Sequence, residues 1–160
     1  MTEALGALRR RLANAGYELE DATIGGRDAL VARRASFRLQ WIGTRLHTFV
    51  VVLHAPELSD GLAESLTAAA QQYAIDHKGG LPRGLQTGTA TVAVFLAETA
   101  EPAVRAWFLR KPKHRFAALR LPVLVEVGPS EVTYFRKLQN VGSTYHRHLR
   151  ALVDDVIAPV

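Results

Sequence analysis

The side chains able to do chemistry are few, and their spacing excludes most of it. The 160-residue chain has no cysteine, which rules out disulfides, thiolate metal sites and a cysteine nucleophile. Its six histidines are His47, His54, His77, His114, His146 and His148. His146 and His148 fall two apart on an expected helix, so they point about 200° apart and cannot chelate one ion. There is no His-Glu-x-x-His, and neither a metal nor any other cofactor is expected. The Gly-x-Ser-x-Gly elbow of a serine hydrolase is also missing. Ser59 and Ser143 read as helix caps and Ser130 as a turn residue. The acids that do cluster, Glu18 with Glu20 and Asp21, and Asp154 with Asp155, fit structural salt bridges. No residue is assigned a catalytic role.

Two groups remain as binding candidates. The first is the loop Gly79–Thr89, rich in glycine and hydroxyls, whose exposed backbone N–H groups and Arg83 suit an anion. It lacks the Gly-Lys-Ser/Thr ending of a Walker loop and precedes a strand rather than a helix. The candidate anion-binding set is Arg83, Gln86, Thr87 and Gly88, joined by His54 at the end of an apolar strand. The second group is a charge excess. Residues 1–100 hold ten Lys/Arg and ten Asp/Glu, whereas residues 101–150 hold ten Lys/Arg against Glu101, Glu126 and Glu131. Such an excess attracts anionic partners. The candidate basic face is Arg105, Arg110, Lys111, Lys113, Arg115, Arg147 and Arg150. It forms only if the last helix packs beside the third.

These residues must be positioned by ordinary elements. Leu5, Leu8 and Leu12 form one stripe, so Thr2–Ala15 is an expected helix, capped by Thr2 and stopped by Gly16. Gly25-Gly26 separates two strands, Tyr17–Thr23 and Ala29–Ala35. Phe37, Leu39 and Trp41 alternate with Arg38 and Gln40, one face wet and one buried. Phe49–Leu53 is apolar on both parities, the mark of a strand covered on both sides. A helix is expected over Asp60–Lys78, capped by Ser59 or Asp60, then a strand over Ala90–Ala97. Pro102 opens a short helix to Arg110. Phe116–Val127 is a strand, bent or at an edge near Pro122, and Val132–Lys137 pairs back on it across the turn Gly128–Glu131. Ser143–Val156 is the last helix.

The order αβββαβαββα predicts one α+β domain over residues 1–160. Its mixed, mainly antiparallel sheet would have about six or seven strands, with one parallel pair made by the step from Ala90 to Val127. The expected core is Leu8, Leu12, Trp41, Val50, Val52, Leu66, Tyr73, Val94, Trp107, Val125, Leu149 and Leu152. The αβββαβ opening resembles, in topology alone, the restriction-endonuclease-like nucleases. Their chemistry needs a carboxylate and a Glu-x-Lys on adjacent strands, and Phe49–His54 supplies neither acid nor lysine. The same opening resembles type III secretion chaperone-like domains, a likeness that implies protein partners and no reaction.

Apolar residues make up 48% and charged residues 22%, the composition of a globular chain rather than a disordered one. Near the start, the charges of Arg9–Arg11 follow the apolar residues, the reverse of a signal peptide. No stretch approaches ~18 apolar residues. The cytoplasm is the expected location, with no membrane partner. The preferred expectation is a non-catalytic binding module for an acidic protein partner or a nucleic acid. The alternative is a phosphate-ligand protein or enzyme using the Gly79–Thr89 loop. A homodimer through the free edge of Val132–Lys137 is a further expectation.

Overall fold

A computed structural model of the protein describes residues 1–37, 45–79, 87–115, 117–137 and 143–158. The elements are α1 (Thr2–Asn14), β1 (Glu18–Ile24), β2 (Arg27–Phe37), β3 (Arg45–His54), α2 (Asp60–His77), β4 (Thr87–Ala97), α3 (Pro102–Phe108), β5 (Ala118–Glu126), β6 (Glu131–Tyr134) and α4 (Ser143–Leu152). The chain continues from α4 into a π-helical turn, Val153–Ile157. This is the expected αβββαβαββα order in one α+β domain. Six strands form one sheet, ordered β1-β2-β3-β4-β5-β6. Three of the five pairings are antiparallel, and β3–β4 and β4–β5 are parallel. The step through α3 gives the expected parallel pair. The step through α2 gives a second.

Local chemistry accounts for the boundaries. The Ser59 hydroxyl accepts a hydrogen bond from the Leu62 N–H at 3.2 Å and so starts α2. At α1 the cap position is Met1 and no side chain caps the helix, so Thr2 is its first residue rather than its cap. Gly16 follows with φ +81° and ends it. Gly25 and Gly26, at φ +58° and +77°, make the two-residue turn whose twist matches a β-hairpin. Pro122 lies within β5, and β6 stops at Tyr134, opposite Val123. From Pro122 back to its start, β5 is therefore the sheet edge, the place where a ladder tolerates a missing N–H.

Side chains alternate across the sheet and build two cores. On one face, Val50, Val52, Val94 and Val125 meet Leu8 and Leu12 of α1 and Leu149 and Leu152 of α4. On the other, Phe49, Val51, Leu53 and Phe95 meet Leu66 and Ala70 of α2 and Phe108 of α3. Nine of the expected core residues are buried: Leu8, Leu12, Val50, Val52, Leu66, Val94, Val125, Leu149 and Leu152. Tyr73 and Trp107 are half-buried against the second core, and Trp41 lies outside the described residues. Burying each large aliphatic side chain stabilises the fold by roughly 1.5–3 kcal/mol.

A Cβ at Gly25 would lie 2.6 Å from Leu66 Cδ2, whereas one at Gly26 would meet nothing within 4 Å. Gly26→Ala therefore loses only the left-handed conformational preference, about 1–2 kcal/mol. Gly25→Ala loses that and also disturbs the seat of α2. Urea denaturation of the two variants measures the difference, and equal losses would contradict this packing.

Candidate functional site at the basic end of the sheet

Apolar side chains cover β3, β4 and β5 on both faces, so charge collects at the strand ends. At one end these three strands begin, with Arg45 opposite Thr87 and Thr89 opposite Ala118. Strand β2 closes there, with Ala35 opposite His47 and Phe37 opposite Arg45, and α2 finishes close by at His77. Arg33, Arg45, His47, Lys78 and Arg115 thus gather at one end. At the other, β3 ends at His54, β4 at Ala97 and β5 at Glu126. Glu57, Asp60 and Glu101 line a cavity of about 530 Å³ there.

The anion-binding set of the sequence reading divides between these ends. Thr87 and Gly88 open β4 at the basic end. Arg83 and Gln86 lie outside the described residues. His54 pairs with Leu96, nine register steps from the Arg45–Thr87 pair, or ~30 Å at 3.3 Å per step. Parallel pairing is the reason: β4 begins beside the start of β3, and His54 is at the finish of β3. His54 instead lines a cavity of about 640 Å³ with Asp21, Asp28, Leu30, Val52 and Leu96.

The single basic face does not form either. Val104 and Phe108 of α3 pack into the α2-side core, and Leu149 and Leu152 of α4 pack into the opposite one. The sheet therefore separates Arg105, Arg110, Lys111, Lys113 and Arg115 from Arg147 and Arg150. Several cations of this part of the chain are already engaged. Arg105 grips the fully buried Glu126 through two bonds of 2.7 Å, while the Ala100 N–H donates to the same carboxylate at 2.7 Å. Arg120 pairs with Glu64 at 2.8 Å, and Arg115 donates to Gln72 Oε1 at 2.9 Å. Arg110, Lys111 and Lys113 are exposed and, among the described residues, their side chains have no hydrogen-bond or ion-pair partner. Beside them Leu109 is 57% exposed.

Backbone bonds tie down the described part of the connector that follows α3. The Arg110 N–H donates to the Trp107 carbonyl at 3.1 Å, Arg115 and Ala118 exchange backbone bonds of 3.1 and 3.0 Å, and Pro112 is buried. Lys111, Lys113, Trp107 and Glu64 line a small cavity of about 120 Å³. Sequence reasoning found this segment. It missed Arg33, Arg45, His47 and Lys78, because a charge count by chain segment hides residues that only hairpin pairing brings together. The available signal was position: each of the four falls at or just beyond the end of an apolar element.

The electrostatics follow from these neighbours. Arg105 holds the Glu126 carboxyl below its usual range, and the Ala100 N–H adds to that pull. Burial pushes the Tyr134 hydroxyl up to about 12, helped by its bond to Asp154 at 2.6 Å. His47 is pulled down by burial and then by Lys78, Arg45 and Arg33. His146 is pulled down by burial and then by Arg150, against an opposing bond at the Lys137 backbone. Among the described residues, no group of three or more His, Asp or Glu is placed to hold a metal ion, and no helix is long and apolar enough to cross a membrane. The chain matches no protein-family model, no curated protein and no solved structure.

His47 and His146 have folded-state pKa values below the unfolded value near 6.5. Below pH ~6.5 the unfolded chain takes up protons that the folded one refuses, so stability falls with falling pH. It is complete above that value and lost as pH drops toward the folded-state values. Histidine titration followed by NMR checks the cause. Both rings should protonate below pH 6.5, and a His47 titrating at or above 6.5 would contradict the crowding described.

Proposed function

We propose that the domain is a non-catalytic binding module and that an acidic protein surface docks on the connector Leu109–Arg115. One observation carries this reading: three exposed cations, whose side chains have no partner among the described residues, follow an exposed leucine in a segment held by backbone bonds. A backbone held by its own hydrogen bonds loses less entropy on binding than a mobile one. The cations steer an acidic partner and set its orientation. Leu109 supplies an apolar contact that a phosphate backbone does not need, and this favours protein over nucleic acid. Trp107 and Arg110 beside it are residue types enriched at interface anchors. Two of the shifted acid–base groups serve the fold, Glu126 by holding Arg105 and Tyr134 by holding Asp154, which supports a role without catalysis.

Immobilised poly-glutamate and a short duplex DNA are the probes. The domain should be retained by poly-glutamate at about 50 mM salt and released near 200 mM, since exposed charges are screened within about 10 Å at ordinary ionic strength. Reversing Arg110, Lys111 and Lys113 together to Glu should weaken retention tenfold or more. Stronger retention on DNA would transfer the reading to nucleic acid. Retention on neither surface, or an unchanged profile in the reversed variant, would remove it.

A further inference from the structure

We propose that the cavity between the end of α2 and the paired ends of β2 and β3 is a binding site for a small phosphate-bearing anion. The cavity measures about 570 Å³, and its lining includes Glu18, Arg33, Arg34, His47, Lys78 and Gly79. That volume is in the range of small-molecule sites. Its position follows from the sheet. Strand β1 starts at Glu18, opposite Arg33, whereas β2 runs on to Phe37. From Arg34 onward that edge of β2 has no strand beside it, and the gap is the cavity.

The lining is built for negative charge. It carries Arg33, Arg34 and Lys78 against one carboxylate, Glu18. Arg33 donates to Glu18 at 3.0 Å and to the His77 carbonyl at 3.4 Å. Among the described residues, two of its five guanidinium donors are engaged. Arg34 uses one donor on the Ala15 carbonyl at 2.8 Å. The planar fork of arginine matches phosphate oxygens in pairs. Lys78 reaches the Gly79 carbonyl at 3.2 Å, which keeps its ammonium at the rim. His47 is 9% exposed on a strand whose neighbours Leu46, Phe49 and Val50 are apolar. It is paired with Ala35 on one side and Thr89 on the other, and a neutral ring offers one N–H donor. Arg45, two residues away on the same face of β3, adds to the positive field at His47. A dianion entering this space would meet several donors and relieve the repulsion among the cations around it.

Thermal-shift and calorimetric titrations with inorganic phosphate test the site, with acetate at matched ionic strength as the reference. A second arm uses adenosine monophosphate, to separate a free phosphate from a phosphate ester. Phosphate or the ester, but not acetate, should raise the Tm by specific binding. Lys78→Gln and Arg33→Lys should each weaken that binding fivefold or more. Both replace side chains that are not buried, and their ligand-free Tm values verify the fold. The Arg110/Lys111/Lys113 reversal should bind phosphate as the unmodified protein does, which keeps this site independent of the connector. Equal shifts with phosphate and acetate, unchanged affinity in the Lys78 and Arg33 variants, or loss of affinity in the connector variant would each overturn the proposal.

Discussion

Charge is kept out of the middle of β3, β4 and β5, because helices cover both faces of these strands. An ion moved into such a core costs several kcal/mol unless its partners move with it. Phe49–Leu53 and Val92–Leu96 obey this on both parities, and their residues are 2% exposed or less. The exceptions are paired. Glu126 is fully buried at the end of β5, and it accepts three bonds of 2.7 Å from Arg105 and the Ala100 N–H. Arg120 is buried and reaches Glu64 on α2.

The consequence is a sorting of charge along the strands. Arg33, Arg34, Arg45, Lys78 and Arg115 lie toward the end where the parallel strands begin. Acids of the β3–α2 and β4–α3 connections lie at the end where they finish. The outer elements are fastened by polar contacts of their own. Arg9 pairs with Asp21 and ties α1 to β1. Tyr134 and Arg136 both reach Asp154 and tie β6 to the last helical turn. Neither pair crosses the core, so the sheet interior stays apolar while the surface keeps its polarity.

Much of the architecture is readable in residue patterns, because local rules and tertiary packing agree there. The doubly apolar Phe49–Leu53 announces a covered strand, Ser59 and Gly16 punctuate helices, and Gly25-Gly26 can scarcely be anything but a hairpin turn. Pro122 signals an edge, and β5 does become one below the last residue paired with β6. The candidate sites were less readable, for a physical reason. Parallel pairing sends His54 and Thr87 to opposite ends of adjacent strands, and no short-range signal distinguishes that from a neighbouring placement. The side of the sheet chosen by α4 is likewise a tertiary outcome. It places Arg147 and Arg150 away from Lys111 and Lys113, although all four belong to one basic stretch of sequence. Conversely, Arg33, Arg45 and Lys78 are far apart along the chain and converge only through the β2–β3 register and the length of α2.

Amide chemical-shift mapping during a titration with inorganic phosphate is the most direct measurement of whether this charge sorting creates a recognition surface. Perturbations should concentrate at Arg33–Ala35, Arg45–Thr48 and Lys78–Gly79, where β2, β3 and α2 end together. Amides around His54, Glu57 and Glu101 should stay unmoved. Shifts centred on that acidic end, or spread evenly over the domain, would contradict it.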